Sequence, residues 1–168
     1  NVFKISYYFK SKNINQKDRI AAVLPNMTET VEAFLACEQT GAIWSSCSSD
    51  FGPKAIIDRF KQIDPKILII TDYYFYNNKK IDTLKDIKSI IREIPSIENI
   101  IIIPYAEDKI LIKDFEYTNW NEILNSQHKF EKFEKFNFNH PLYILFSSGT
   151  TGVPKCIVHG AGGSLIQH

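Results

Sequence analysis

Short apolar runs alternate along this chain with stretches whose apolar residues recur at helical intervals. Arg19-Ile20-Ala21-Ala22-Val23-Leu24 is closed by Pro25-Asn26, which predicts a strand. From Thr28 to Thr40 the residues Val31, Phe34, Leu35 and Glu38 fall at helical spacing, which predicts a helix with Thr28 as N-cap and Gly41 as its stop. Ala42 to Cys47 reads as a second strand. Pro53 opens a second helix with Ile56, Ile57, Phe60 and Ile63 on one face and Pro65 beyond its end. Ile67 to Ile70 is a third strand, Tyr73 to Tyr76 a tyrosine-rich turn, and Thr83 to Glu93 a further helix. Asn99 to Ile103 is a strand ended by Pro104.

This alternation predicts an α/β fold with a mostly parallel sheet flanked by helices. Ile67–Ile70 and Ile100–Ile103 do not alternate with polar residues, and burial on both faces accounts for that. Between residues 109 and 135 the pattern weakens. Trp120 starts a short helix through Ser126, residues 130–136 form a local amphipathic repeat, and the whole stretch reads as a surface connection. No domain boundary interrupts residues 1–168, and a chain of 168 residues fits one domain.

Composition narrows the class. Hydrophobic residues make up 44% and charged residues 23%, ordinary for a soluble globular protein. The net charge of +1 offers no excess of either sign for a nucleic-acid partner. The three cysteines, Cys37, Cys47 and Cys156, form no Cys-x-x-Cys pair, so neither a disulfide framework nor a metal site is expected. A reducing, cytoplasmic setting is the simpler reading. Asn1 to Lys10 lack the form of a signal peptide, and no apolar run approaches the ~18 residues of a membrane span. The start at Asn1 and the unfinished helical pattern before His168 read as those of a fragment.

Candidate chemistry lies in Leu142-Tyr143-Ile144-Leu145-Phe146-Ser147-Ser148-Gly149-Thr150-Thr151-Gly152-Val153-Pro154-Lys155-Cys156-Ile157-Val158-His159. Gly149 and Gly152 let the backbone turn sharply and approach a ligand, and successive N–H groups in such a turn form an anion-binding concavity. Ser147, Ser148, Thr150 and Thr151 add hydroxyls, and Lys155 adds a positive charge. These groups suit a triphosphate. From residue types alone, a merely polar hairpin loop is an equal reading. A Walker A loop is excluded, because Pro154 precedes the lysine, Cys156 follows it, and Cys156-Ile157-Val158 favours a strand over a helix. A strand–loop–strand hairpin is therefore expected. Val153 is the only sizeable apolar residue of the loop, so Ser148 to Pro154 is expected to be exposed and its flanking strands buried.

Ser147 to Lys155 resembles the signature of the adenylate-forming superfamily, which includes acyl-CoA synthetases, firefly luciferases and nonribosomal peptide synthetase adenylation domains. Cys156 departs from the glycine that many members carry. Asp18 to Asn26 and Ala36 to Ser45 resemble the superfamily's early strand and the helix–strand segment after it. Ser45 to Gly52, and Val158 to Gly163 beside the loop, are similar to the members that act on acetoacetate; those using acetate or propionate are the nearest alternative.

The resemblance implies that residues 1–168 are part of an N-terminal AMP-binding domain, with further segments and a C-terminal domain downstream. It implies an ATP-dependent ligase that joins acetoacetate to CoA through an acyl-adenylate, with Mg²⁺ accompanying ATP. Ser147, Ser148, Gly149, Thr150, Thr151 and Gly152 would enclose the β- and γ-phosphates, and Lys155 would neutralise charge on the leaving pyrophosphate. His159 either borders the acyl pocket or caps the following helix. Lys79 and Lys80 sit where relatives place basic residues against CoA, or are simply solvated. Trp44 and Trp120 are expected to be packing residues, and Cys37 to be unreactive. A non-catalytic nucleotide-binding module is the alternative from a different class.

Overall fold

The computed structural model describes residues 1–106, 110, 112–127, 133–148 and 152–167. Helix α1 (Val2–Ser11) leads into strand β1 (Arg19–Val23), followed by α2 (Thr28–Thr40), β2 (Ile43–Cys47), α3 (Pro53–Phe60) and β3 (Ile67–Thr71). A hairpin of β4 (Tyr73–Tyr76) and β5 (Lys79–Asp82) precedes α4 (Ile87–Glu93) and β6 (Asn99–Ile103). The remainder comprises β7 (Thr118–Asn119), α5 (Trp120–Asn125), β8 (Pro141–Ser147), β9 (Lys155–Gly160) and α6 (Ala161–Gln167).

Seven strands form one sheet in the order β7-β6-β3-β1-β2-β8-β9. Every neighbouring pair is parallel except β8 and β9. This is the expected α/β architecture. The two-residue period of each strand divides its apolar side chains between two cores. Ile20, Ala22, Trp44, Ile67, Ile69 and Ile101 meet Ile5, Phe9, Ala33, Cys37 and Trp120 on one face. Ala21, Val23, Leu68, Ile70 and Ile102 meet Ile56, Phe60, Ile63, Ile87 and Ile90 on the other. With helices on both faces, both sets of side chains must be apolar, which is why these strands read as unbroken hydrophobic runs.

Several local expectations change. Helix α1 carries Ile5 and Phe9 one turn apart and fully buried; that four-residue spacing was its signal, and the sequence reading passed over it. Helix α2 begins at Thr28 itself, with Met27 in the extended cap position and the Thr30 hydroxyl donating to the Pro25 carbonyl (2.8 Å). Its buried face is Ala33, Ala36, Cys37 and Thr40, whereas Val31 and Leu35 are exposed. Small residues there let α1 and the sheet approach closely. Glu38 lies at the margin of this face, and burial pushes its carboxyl up to about 7. The helix does stop at Gly41, whose φ of +74° is left-handed.

The turn expected at Tyr73 to Tyr76 is a strand, and the chain reverses instead at Asn77 and Asn78, which have φ of 48° and 60°. Asparagine tolerates this left-handed geometry, and consecutive positive φ values match the tight hairpin turn. The helix expected from Thr83 begins only at Ile87. Asp82 Oδ1 accepts the amides of Leu84 (2.8 Å) and Lys85 (3.2 Å), and the Thr83 hydroxyl donates to the Asp72 carbonyl (2.8 Å). These bonds give the backbone a competing partner for most of a turn. At the base of the hairpin, buried Asp72 accepts the amides of Tyr73 (2.8 Å) and Tyr105 (2.7 Å), tying it to the chain leaving β6.

Candidate functional site

The loop between β8 and β9 is closed by a strand–loop–strand hairpin, as its residues predict. Ser147 pairs with Lys155, Phe146 with Cys156, Leu145 with Ile157, and Tyr143 with His159. Directly opposed residues of an antiparallel pair share a face. Ser147 and Lys155 therefore stand together at the mouth of the loop, on the face that carries His159 and Tyr143. Phe146 and Cys156 face the other way, toward α3. Ser148 and Lys155 are exposed, and Gly152 adopts a left-handed φ of +87° with open space where a Cβ would be. A side chain there would be strained rather than crowded. Gly149, Thr150 and Thr151 lie outside the described residues.

The burial expected around the loop differs at two points. Pro154 is buried although Gly152, Val153 and Lys155 are exposed. Strand β9 is largely exposed, and in β8 only Ile144 is buried. The reason is position in the sheet. Among the described residues β9 pairs on one side, with β8, and β8 meets β2 through the register pair Trp44–Tyr143 and the Ser45 hydroxyl, which donates to the Ile144 carbonyl (2.9 Å).

His159 stacks on Tyr143 with ring centroids 4.8 Å apart at 27°. Tyr143 in turn accepts the Ser164 hydroxyl (3.3 Å) and meets Phe34 of α2 at 6.3 Å. The first amides of α6 do not depend on the histidine, since Ala161 N–H donates to the His140 carbonyl and Gly162 N–H to the Phe138 carbonyl, each at 2.8 Å. His159 thus lies between Tyr143 and the start of α6, on the strand face that carries Lys155.

Helix α3 borders the loop from the other side. A hollow of about 420 Å³ separates them, lined by Lys54, Asp58, Arg59, Ser148, Gly152 and Pro154 among others. Lys54 is paired with Asp58 at 2.7 Å. The Arg59 guanidinium donates to the Ala55 carbonyl (2.8 Å) and lies 4.6 Å over Phe51 and 6.0 Å over Phe146. A second hollow of about 170 Å³ lies between the Ser49–Pro53 turn and the β4–β5 hairpin. Gly52 lines both. The phosphate-loop candidate, the start of α3 and the hairpin therefore line up along the carboxyl ends of the parallel strands, where open α/β sheets bind ligands. Lys79 and Lys80 are exposed on that hairpin, and Lys80 Nζ sits 4.0 Å over the Tyr73 ring. Among the described residues no group of three or more His, Cys, Asp or Glu side chains is placed to hold a metal ion. No described helix is long and apolar enough to cross a membrane.

Trp44 and Trp120 are both buried packing residues, as expected. The cysteines separate by environment. Burial pushes the Cys47 thiol up to about 12, with Arg59 opposing, and raises Cys37 well above its usual value. Cys156 is exposed, and partial desolvation raises its thiol as well. Brief treatment with a maleimide at neutral pH, read by peptide mapping, is expected to modify Cys156 well before Cys37 or Cys47. Comparable labelling of either buried cysteine would contradict this packing.

A family model described as AMP-binding enzyme matches residues 1–167. The acetoacetyl-coenzyme A synthetase of Rhizobium meliloti is 44% identical over 170 residues, an alignment covering 99% of this chain and 26% of that protein. The acetoacetyl-CoA synthetase of Xenopus tropicalis is 40% identical over 168 residues, covering 95% and 25%. Among solved structures, the acetoacetyl-CoA synthetase from Streptomyces lividans superposes with a TM-score of 0.92 at 33% identity, over 99% of this chain and 25% of that one. The chain thus spans about a quarter of the length of the curated relatives it matches.

Proposed function

Because the chain belongs to the AMP-binding enzyme family, we propose that it supplies the ATP-phosphate site of an acid–CoA ligase acting on acetoacetate. Residues 1–168 form part of the N-terminal AMP-binding domain of that ligase in this reading. In the first half-reaction a carboxylate oxygen of acetoacetate attacks the α-phosphorus of ATP and pyrophosphate leaves. In the second, the CoA thiol attacks the acyl carbon and AMP leaves with the bonding electron pair. The acid supplies the first nucleophile, so the protein's part is to position reactants and stabilise charge on the phosphates.

The observation that carries the reading is the hairpin that sets Ser147 opposite Lys155 at the mouth of the loop. Ser147, Ser148 and Gly152, with Gly149, Thr150 and Thr151, surround the β- and γ-phosphates. Lys155 holds a positive charge against the pyrophosphate as it departs. Further phosphate charge would be neutralised by the Mg²⁺ that accompanies ATP. His159, stacked on Tyr143 on the face of Lys155, borders the acyl group, and Lys79 and Lys80 meet the phosphates of CoA. The exposed Cys156 thiol fits a reducing compartment, and the cytoplasm is the setting we assign.

The test is a substrate panel on the complete ligase. With ATP and CoA saturating, kcat/KM for acetoacetate is expected to exceed that for acetate or propionate. A higher value for acetate would overturn the substrate assignment. Absence of pyrophosphate exchange with every acid would favour a non-catalytic nucleotide-binding module.

A further inference from the structure

The C-terminal end of α3 reaches both arms of the loop. On the incoming arm, Phe146 lies under the Arg59 guanidinium at 6.0 Å. On the outgoing arm the side-chain amide of Gln62, just beyond α3, makes the contact. Its Nε2 donates to the Asp58 carbonyl (2.6 Å) and to the Pro154 carbonyl (3.0 Å). Its Oε1 accepts from the Cys156 thiol at 3.5 Å. One amide therefore bridges the two residues that flank Lys155. Pro154 has no N–H, so its carbonyl is its only backbone hydrogen-bonding group. Pro154 is also buried, while Val153, Lys155 and Cys156 around it are exposed.

This arrangement answers a physical problem. Lysine is a point charge on a flexible stem, and β9 is exposed and, among the described residues, paired on one side. A charge that must meet developing phosphate charge is effective only if it is already in place when the reaction occurs. Anchoring the Pro154 carbonyl on one side of Lys155 and the Cys156 side chain on the other removes part of the motion that would otherwise be lost on binding.

We propose that Gln62 is a positioning residue that fixes the outgoing arm of the loop, through the Pro154 carbonyl and the Cys156 thiol, so that Lys155 meets the polyphosphate in a preset place. This rests on the loop being the ATP-phosphate site. Gln62 touches no reacting group itself and acts through its neighbours.

The experiment is a double-mutant cycle on the complete ligase, with Gln62→Ala, Lys155→Ala and the double variant assayed by pyrophosphate exchange and by the full reaction. Gln62→Ala is expected to lower kcat/KM for ATP by roughly 3- to 10-fold, the equivalent of one ordinary hydrogen bond. KM for CoA and the melting temperature are expected to stay unchanged. Gln62→Glu, which keeps an acceptor for Cys156 but cannot donate to Pro154, is expected to reproduce the loss. In the Lys155→Ala background, Gln62→Ala is expected to add little, because the group it positions is gone. Normal ATP kinetics in both Gln62 variants beside an impaired Lys155→Ala would overturn the positioning role and leave the phosphate site intact. So would a fully additive double variant. Normal kinetics in Lys155→Ala would instead remove the phosphate site on which the proposal rests. Hydrogen exchange at the Lys155 and Cys156 amides, without nucleotide, reads the anchor independently of ATP: faster exchange in Gln62→Ala supports it, and unchanged exchange overturns it.

Discussion

Replacing Lys155 by alanine is expected to weaken ATP use by roughly 10- to 150-fold, since a charge-assisted hydrogen bond is worth about 1.5–3 kcal/mol and ~1.4 kcal/mol is tenfold. Lys155 opens β9 directly opposite Ser147, and its side chain is exposed at the mouth of the loop. Exposure and screening by salt place the effect toward the lower end. The same exposure means the charge does little for folding, so the melting temperature is expected to move by less than the equivalent of about 0.5 kcal/mol. Lys155→Arg keeps the charge but changes reach and shape, and an intermediate loss is expected. The measurement pairs KM and kcat for ATP with a thermal melt. Unchanged kinetics would remove the phosphate-binding role from this lysine. A fall in melting temperature of many degrees would transfer the effect to folding.

The second large effect concerns the seat of α3. Phe60 is fully buried and packs with Ile56 and Ile63 against Ala21, Val23, Leu68 and Ile70 of the sheet. Truncating a buried aromatic to alanine costs about 3–5 kcal/mol through lost transfer energy and the cavity left behind. That is a large fraction of the about 5–15 kcal/mol by which native domains are stable. Phe60→Ala is therefore expected to lower the local opening free energy of β1 and β3 amides by that amount in hydrogen exchange, which reports on this core rather than on other parts of the ligase. The consequence should reach the site. Arg59 and Gln62 sit on either side of Phe60, and they hold Phe146 and Pro154 of the two arms. Weaker ATP use is expected along with the lost stability, and Phe60→Leu, which leaves a smaller void, should show less of both. A change below about 1 kcal/mol in β1 and β3 would mean that the helix is not seated through this ring.

Much of the fold was legible because its causes are local. The doubly buried strands β1, β3 and β6 declare themselves as unbroken apolar runs, Pro53 marks the start of α3, and Gly41 marks the stop of α2. The hairpin form of the loop was legible for the same reason, since Gly152 and Pro154 punctuate it and Cys156-Ile157-Val158 is β-branched-rich, whereas its residue types alone suit a polar turn as well as a phosphate site. Where the structure departs from the periodic pattern, a competing hydrogen bond or a packing partner decides. Asp82 holds Leu84 and Lys85 out of α4. The small face of α2, rather than Val31 and Leu35, is buried because α1 packs there.

By itself, then, the sequence determined the alternation of strands and helices, the parallel sheet that follows from it, and the strand–loop–strand form of the hairpin. Each of these depends on residues within a few positions of one another, through periodicity, backbone geometry and turn preference. Only the tertiary structure decided that β9 is exposed and, among the described residues, last in the sheet, that His159 stacks on Tyr143, and that Gln62 reaches Pro154 across the chain. A glutamine beyond a helix end carries no local mark of its partner. Its amide finds Pro154 because the strand order puts β8 beside β2 and β9 beside β8 and packs Ile144 and Phe146 into the core that also seats Phe60, and that proximity exists only once the sheet has assembled.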